Sequence, residues 1–446
     1  MSIKKSYLIP FLLLMGIMVA GAFAPGQMMT ESSSDTIDTG DVAWMMVATA
    51  LVMIMTPGLG LFYGGLANRK NIISTVLQSF ISLGIISVIW VVFGFSLCFG
   101  EDVGGWGIIG NPFTYFMFKN VTLTPQEGST IPFILYAMFQ LKFAIITPAL
   151  ITGSFAQRVK FSAYLLFIVL FFMFIYAPLC HMAWHSDGLL AKFGVLDFAG
   201  GTVVHLSAGV AALAGAMFLG PRTASERSHE YSNIPLVVIG TGLLWFGWFG
   251  FNAGSALACN TVSVNAIATT NTAAAAAMVA WVFLDALLGK KISAIGACVG
   301  AVVGLVAITP ACGFVNIGES IAIGAISAIV SNFAVHYKNK STLDDTLDVF
   351  PCHGVGGIMG VLFTGIFAAD YGTGITDLGL AYGQTKVFSA HVISLIGVFV
   401  FVFLGSYALY FITDKIKPMR VSKRDEESGL DISQHGESYE QLSINL

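Results

Sequence analysis

FAGGTVVHLSAGVAALAGAMFL, residues 198–219, is an apolar run that carries a single ionisable side chain, His205. Asp197 stands directly before it, and Pro221 and Arg222 close it off. A hydrocarbon core roughly 30 Å thick takes about 20 residues of helix. Lipid offers no partner to a loose backbone N–H or C=O, so a run of this length and polarity folds as a membrane-crossing helix. Its Gly, Ala and Ser residues let neighbouring helices come close.

Similar runs recur on both sides of it. They place spans near 42–66, 72–99, 130–156, 161–183, 198–219, 233–252, 264–288, 292–309, 316–337, 351–369 and 385–412. The expected fold is therefore all-α and integral to the membrane, with eleven transmembrane helices. Composition agrees: 56% of residues are apolar and 10% charged, against about 25% charged in a soluble domain. A mean hydropathy of +0.81 excludes a soluble globule. The six cysteines form no CxxC pair, so neither a disulfide framework nor a zinc site is indicated.

The ends read differently from the middle. Lys4 and Lys5, an apolar run from Tyr7 to Ala20 and Ala22-Phe23-Ala24 form the pattern of a signal peptide over residues 1–24. An uncleaved short anchor is the alternative. Residues 25–41 form a polar external lead-in, 42–412 the transmembrane domain and 413–446 a cytoplasmic tail. With the mature N-terminus outside, most of the 21 Lys and Arg residues fall on the inner loops and tail, as the positive-inside rule requires. The tail either orders against the protein or a partner, or stays a solvated disordered segment.

Eleven spans divide as five, five and a final long helix. A second five-helix unit must enter the membrane inverted, an arrangement that puts the working site where the halves meet. His205 in the fifth span and His353 in the tenth support such a 5+5 inverted repeat. His205 follows Asp197 by eight residues, about 12 Å of helix, and His353 follows Asp348 by five. Glycines flank both histidines, so the two backbones can approach. Each histidine is otherwise a satisfied core residue; matching positions favour a shared path. Lys142, Asp285, Glu319 and His391 are the other intramembrane ionisable residues of note. Local bonding accounts better for Asp285 and Glu319. Two imidazoles without a carboxylate or thiolate cluster make a poor metal site. No HExxH helix or nucleophile elbow is present, and neither enzyme activity, a cofactor nor nucleic acid is indicated.

The aromatic residues form a second constellation. Phe139 and Phe143 are spaced i, i+4, hence on one helix face. Trp184 ends the fourth span, and the sixth holds Trp245, Phe246, Trp248, Phe249 and Phe251, followed by Ser255. Such rings can cup a cation or form the interfacial belt common at span ends.

Several blocks in register resemble one family. Asp197-Phe198-Ala199-Gly200-Gly201-Thr202-Val203-Val204-His205 is similar to the signature of the Amt/Mep/Rh ammonium transporters. So are Phe62-Tyr63-Gly64-Gly65, Gly247-Trp248-Phe249-Gly250-Phe251-Asn252-Ala253-Gly254-Ser255, Thr309-Pro310-Ala311-Cys312-Gly313 and His353-Gly354-Val355. The resemblance runs from about residue 42 to 440 and is closer to the Amt branch. It implies ammonium or ammonia as cargo, with methylammonium as analogue. Phe139, Phe143, Trp184 and Ser255 then match a vestibule that recruits NH4+, and Phe143 and Phe251 a gate below it. His205 and His353 match twin pore histidines that share a proton, Asp197 a carboxylate that stabilises the vestibule, and Trp248 and Tyr63 further wall positions. It further implies electrogenic uptake at the cytoplasmic (inner) membrane and a homotrimer with one pore per subunit. Gly429-Leu430-Asp431-Ile432-Ser433-Gln434-His435-Gly436-Glu437 matches a C-terminal region that answers PII-type regulators. Lys142 departs from the pattern, since a charged amine between the two vestibule phenylalanines would repel NH4+; it is expected to point away. A sensor that binds ammonium and signals through the tail is the other reading.

Overall fold

The computed structural model describes residues 5–23, 37–223 and 231–439. Helix α1 covers Lys5–Phe23. Among the described residues, ten helices are long and apolar enough to cross a membrane: α2 Thr39–Leu66, α3 Arg69–Phe99, α4 Phe133–Phe155, α5 Phe161–Trp184, α6 Gly201–Leu219, α7 Ile234–Ala256, α8 Thr261–Leu287, α10 Ile317–Lys340, α11 Phe350–Phe367 and α12 Lys386–Ile416. The eighth expected span is α9, Ala294–Ile308, apolar but only 15 residues long. It stops early because Pro310 cannot continue the helix. The chain runs on through Thr309–Phe314 as buried turns, which is tolerated at membrane depth only where protein surrounds the backbone. The protein is a multi-pass membrane protein.

Side-chain caps set several of the helix starts. Asp38 accepts from the N–H groups of Gly40 and Asp41 at the head of α2, while Asn260 with Ser263 and Asn316 with Glu319 form capping boxes on α8 and α10. Glu319 is thereby bonded locally, as is Asp285, which takes hydrogen bonds from Lys290 and Asn332. The cleavage point after Ala24 and most of the lead-in lie outside the described residues.

The five-helix halves, α2–α6 and α7–α11, meet along two glycine seams. In the first, α2 lies on α7: a Cβ added at Gly240 would come 2.4 Å from the Phe62 nitrogen, and one at Gly65 2.6 Å from the Asn233 oxygen. In the second, α6 crosses α11 so closely that a Cβ on Gly209 would stand 2.0 Å from the Gly354 nitrogen. Only glycine permits such approach without moving a helix. Helix α12 packs outside the repeat, with Tyr410 stacked on Phe167 at 4.2 Å.

The described part of the tail, up to residue 439, packs against the helix ends. Asp431 accepts from the N–H groups of Ile73 and Ser74 at 3.1 and 2.7 Å, and the Leu430 N–H donates to Asn71 Oδ1. Glu426 takes a hydrogen bond from the Thr223 N–H and pairs with Arg420. Beneath them lies a buried ionic cluster. Arg222 grips Asp344 with Nε, a terminal Nη and its own backbone N–H at 2.7–3.0 Å. Arg158, fully buried, donates to Thr346 and to the carbonyls of Ser154 and Asp344. Burial pushes Asp344 up, but the bonds from Arg222 and the Arg158 charge outweigh it and hold the carboxyl at about 2. Burial likewise draws Arg158 down to about 10.

Candidate functional site

Helices α6 and α11 begin in the same way. Each opens with six residues wound wider than an α-helix, Gly201–Leu206 and Phe350–Val355, a form common at functional positions. Before each stands a buried carboxylate that caps the exposed N–H groups. Asp197 Oδ1 accepts from Gly200 and Gly201 at 3.0 and 2.6 Å, and its Oδ2 accepts from Thr202 and Val203 at 2.9 and 3.2 Å. Gly200, at φ +109°, makes the turn that lets the cap form. On α11 the cap is Asp345, which accepts from Val349 and Phe350 at 3.1 and 2.7 Å. This corrects the sequence correspondence: Asp345, eight residues before His353, is the counterpart of Asp197. Asp348 instead sits in the left-handed region at φ +59° and pairs with Lys338 at 2.6 Å.

Crossing at Gly209 and Gly354 brings the two histidines together. Their Nδ1 atoms lie 3.4 Å apart and face each other edge to edge, with the ring centroids 5.5 Å apart and the planes within 21°. Both are buried. The indole of Trp248 stacks on the His205 ring at 5.2 Å, fixed by its N–H donating to Thr309 Oγ1 at 2.9 Å. His205 Nε2 is buried with no hydrogen-bond partner among the described residues.

A column of rings continues from there. Phe251 lies 5.8 Å from His205, Phe143 lies 4.3 Å from Phe251, tilted 41°, and Trp184 meets Phe143 edge-on at 5.7 Å. Above Phe143 opens a cup of about 140 Å³, lined by Tyr136, Gln140, Phe143, Trp184, Phe198, Ser255 and Leu257. Ser255 donates its hydroxyl proton to the Phe251 carbonyl at 2.9 Å, which leaves oxygen lone pairs for a ligand. The Trp184 N–H donates to the Asp197 carbonyl at 3.0 Å. Asp197 thus positions the cup through its backbone while its carboxylate caps α6.

Two expected positions, Phe139 and Tyr63, fall elsewhere. Phe139 is fully buried behind Phe143, 5.0 Å away, with its ring against Gly254. Tyr136 and Gln140, at i−7 and i−3 from Phe143, lie on the opposite flank of that helix face from Phe139 and take the cup wall instead. A search for rings alone misses Gln140. Tyr63 donates its hydroxyl to the Leu150 carbonyl at 2.9 Å and packs on Gly153, toward the tail end of α4 and away from the cup. Lys142 is buried and is not among the residues lining the cup. His391, bonded by the Leu196 N–H and to the Val361 carbonyl, is a satisfied structural residue.

Ring faces and a hydroxyl oxygen around a small cavity suit a compact cation, worth roughly 0.5–2 kcal/mol per ring. The rings below close that cavity from the imidazoles, and the surrounding wall is apolar. An unpaired charge is costly there, while a neutral molecule that both donates and accepts can meet an imidazole. Fold and site together define a multi-pass membrane protein with a cation-suited cup over a buried histidine pair.

The family model for the Ammonium Transporter Family matches residues 43–440, and the chain belongs to that family. The ammonium transporter of Aquifex aeolicus is 45% identical over 408 residues, covering 91% of this chain and 94% of the relative. The crystal structure of Saccharomyces cerevisiae Mep2 superposes with a TM-score of 0.82 at 34% identity, covering 87% of this chain and 88% of that one. A protein described as a sensor Amt protein superposes at 0.80 with 30% identity, over 89% of this chain and 98% of its own.

Proposed function

We propose that this protein carries ammonium across the cytoplasmic membrane. NH4+ is recruited in the cup by the rings of Trp184 and Phe143 and by the Ser255 oxygen. It gives up a proton on leaving the cup. NH3 then passes the Phe143–Phe251 gate and moves along the imidazoles of His205 and His353, which relay the released proton, so that net uptake carries one positive charge. The observation that carries this reading is the buried histidine pair directly under a cation-suited cup. Size selects poorly between NH4+ and K+, whereas a dry column rejects any cation that cannot shed a proton.

The reading extends to a homotrimer with one pore per subunit, an outer N-terminus after removal of residues 1–24, and a cytoplasmic tail open to a PII-type regulator. Family membership argues against an enzyme. Ammonium-triggered, saturable currents from proteoliposomes on a solid-supported membrane test transport, with methylammonium uptake as a second measure. Replacing both His205 and His353 with Ala is expected to abolish the selective current or admit K+; an unchanged profile refutes the pair's role. A sensor reading is favoured by the likeness to the sensor Amt protein and by the ordered tail, and binding without current would support it.

A further inference from the structure

Beyond the cup lies a second, larger cavity of about 340 Å³, whose wall shares Tyr136, Trp184 and Leu257 with the cup and adds Tyr115, Glu127 and His185. A solute bound for the cup from this side enters through that space. Its wall offers ring faces and one carboxylate, Glu127, both suited to a small cation.

His185 directly follows Trp184 and is held firmly. Its ring stacks on His181 at 4.3 Å and 14°, and its Nδ1 accepts the Asp187 N–H at 3.1 Å. The neutral ring therefore carries its hydrogen on Nε2, and an added proton must go to Nδ1, displacing the Asp187 N–H. His181 is buried beneath it, tied to the Cys98 carbonyl at 2.9 Å and to Asp102 at 3.2 Å. Lys192 pairs with Asp187 at 2.8 Å. The groups facing His185 are thus His181, Asp102, Asp187, Lys192 and Glu127. Burial, His181 and Lys192 lower its proton affinity, and Asp187 and Asp102 only partly restore it. The ring is neutral at neutral pH and charges in acid.

We propose that this antechamber is a first station for the cation and that protonation of His185 decides whether it is occupied. With a neutral imidazole, Glu127 and the tyrosine rings present a net negative wall. With an imidazolium, a positive charge stands beside Trp184 on the approach to the cup and offsets Glu127. The inference rests on the ammonium-transport reading, and the experiment separates the two.

The test is the concentration dependence of ammonium-triggered current in proteoliposomes of the full chain, with external pH stepped from about 7.5 to about 5. NH4+ is the dominant species at both. The wild type is expected to show a KM roughly tenfold higher at the lower pH, the scale of one like charge at short range, with maximal current changed less than about twofold. In His185→Gln the ratio of the two KM values collapses to near one, whatever its value at neutral pH. Glu127→Gln raises KM at the higher pH. A wild-type ratio near one overturns the proposal, as does a wild-type ratio retained in His185→Gln. Should that variant fail to fold, His185→Asn replaces it, and the wild-type ratio decides alone if neither folds. Absence of any wild-type current at neutral pH refutes transport itself.

Discussion

Asp197→Asn removes a charge without changing shape, and the geometry of the α6 cap sets its cost. A carboxylate has about four acceptor sites, and all of those on Asp197 are engaged, two N–H groups on each oxygen. The asparagine oxygen can serve one pair; its NH2 then faces the other pair, donor against donor. Two charge-assisted hydrogen bonds are lost, at roughly 1.5–3 kcal/mol each, or about 3–6 kcal/mol together. Unfolding entropy near 2 cal/mol/K per residue makes each kcal/mol worth about 1 °C in a chain of 446 residues. The melting temperature in detergent should thus fall by roughly 3–6 °C. Asp345→Asn forfeits one of two bonds and should fall about half as far. Because the Asp197 carboxylate has no site left for the cation, the folded fraction of Asp197→Asn should keep its apparent KM within about twofold. An unchanged melting temperature with a large rise in KM would mean that the carboxylate holds the ion, and the capping argument would be wrong.

Other perturbations probe other parts. Trp184→Leu deletes one cup ring, so apparent KM for ammonium should rise between about two- and thirtyfold; currents at low ammonium measure this, and no change would remove Trp184 from recruitment. Gly209→Ala places a methyl 2.0 Å from the Gly354 nitrogen. Separating α6 from α11 should cost about 1–3 kcal/mol or more and pull His205 from His353, seen as a lower melting temperature with lost current. Asp344 has its pKa depressed from an ordinary carboxylate value to about 2, so its contribution is present above about pH 4 and is lost as pH falls toward about 2. Asp344→Asn, which leaves Arg222 and Arg158 without their buried carboxylate, should destabilise by about 3–5 kcal/mol at neutral pH. The variant should also lose the acid-dependent part of the melting curve, and a wild-type acid profile in Asp344→Asn would contradict the assignment.

The sequence is most legible where one force dominates. Membrane spans are set by the length of apolar runs, so ten of the eleven expected segments emerge as full-length helices; Pro310 and the buried turns after it shorten the other. The odd number of spans per half implies inversion without any knowledge of contacts. The histidines are legible because an ionisable group in lipid stands out against an apolar background. The caps are harder. Asp348 is nearer to His353 than Asp345, and only the wide winding of Phe350–Val355, which leaves no residue signature, shows which carboxylate reaches the free N–H groups. Ring type points to Phe139, whereas rotation about α4 aims Tyr136 and Gln140 into the cup. The tail's charge suggests a solvated peptide, and its order comes from a few specific acceptors, Asp431 and Asn71 among them, that composition cannot display. The His181–His185 stack is equally hidden, because His185 lies just past the end of α5.

The histidine pair is best understood through what it leaves unmade. A buried polar atom without a partner costs about 1–3 kcal/mol, and His205 Nε2 is such an atom among the described residues. Packing does not force this, since Trp248, locked by Thr309, holds the ring by its face and leaves its edge open. On the proposed reading that edge is where cargo binds in passing. Ammonia has a lone pair and three N–H groups, so it can meet an imidazole nitrogen in either tautomer. A dehydrated K+ has no proton to donate and would stand in an apolar wall with its charge unpaired. The same nitrogen that weakens the fold slightly thereby discriminates between two ions of nearly equal size.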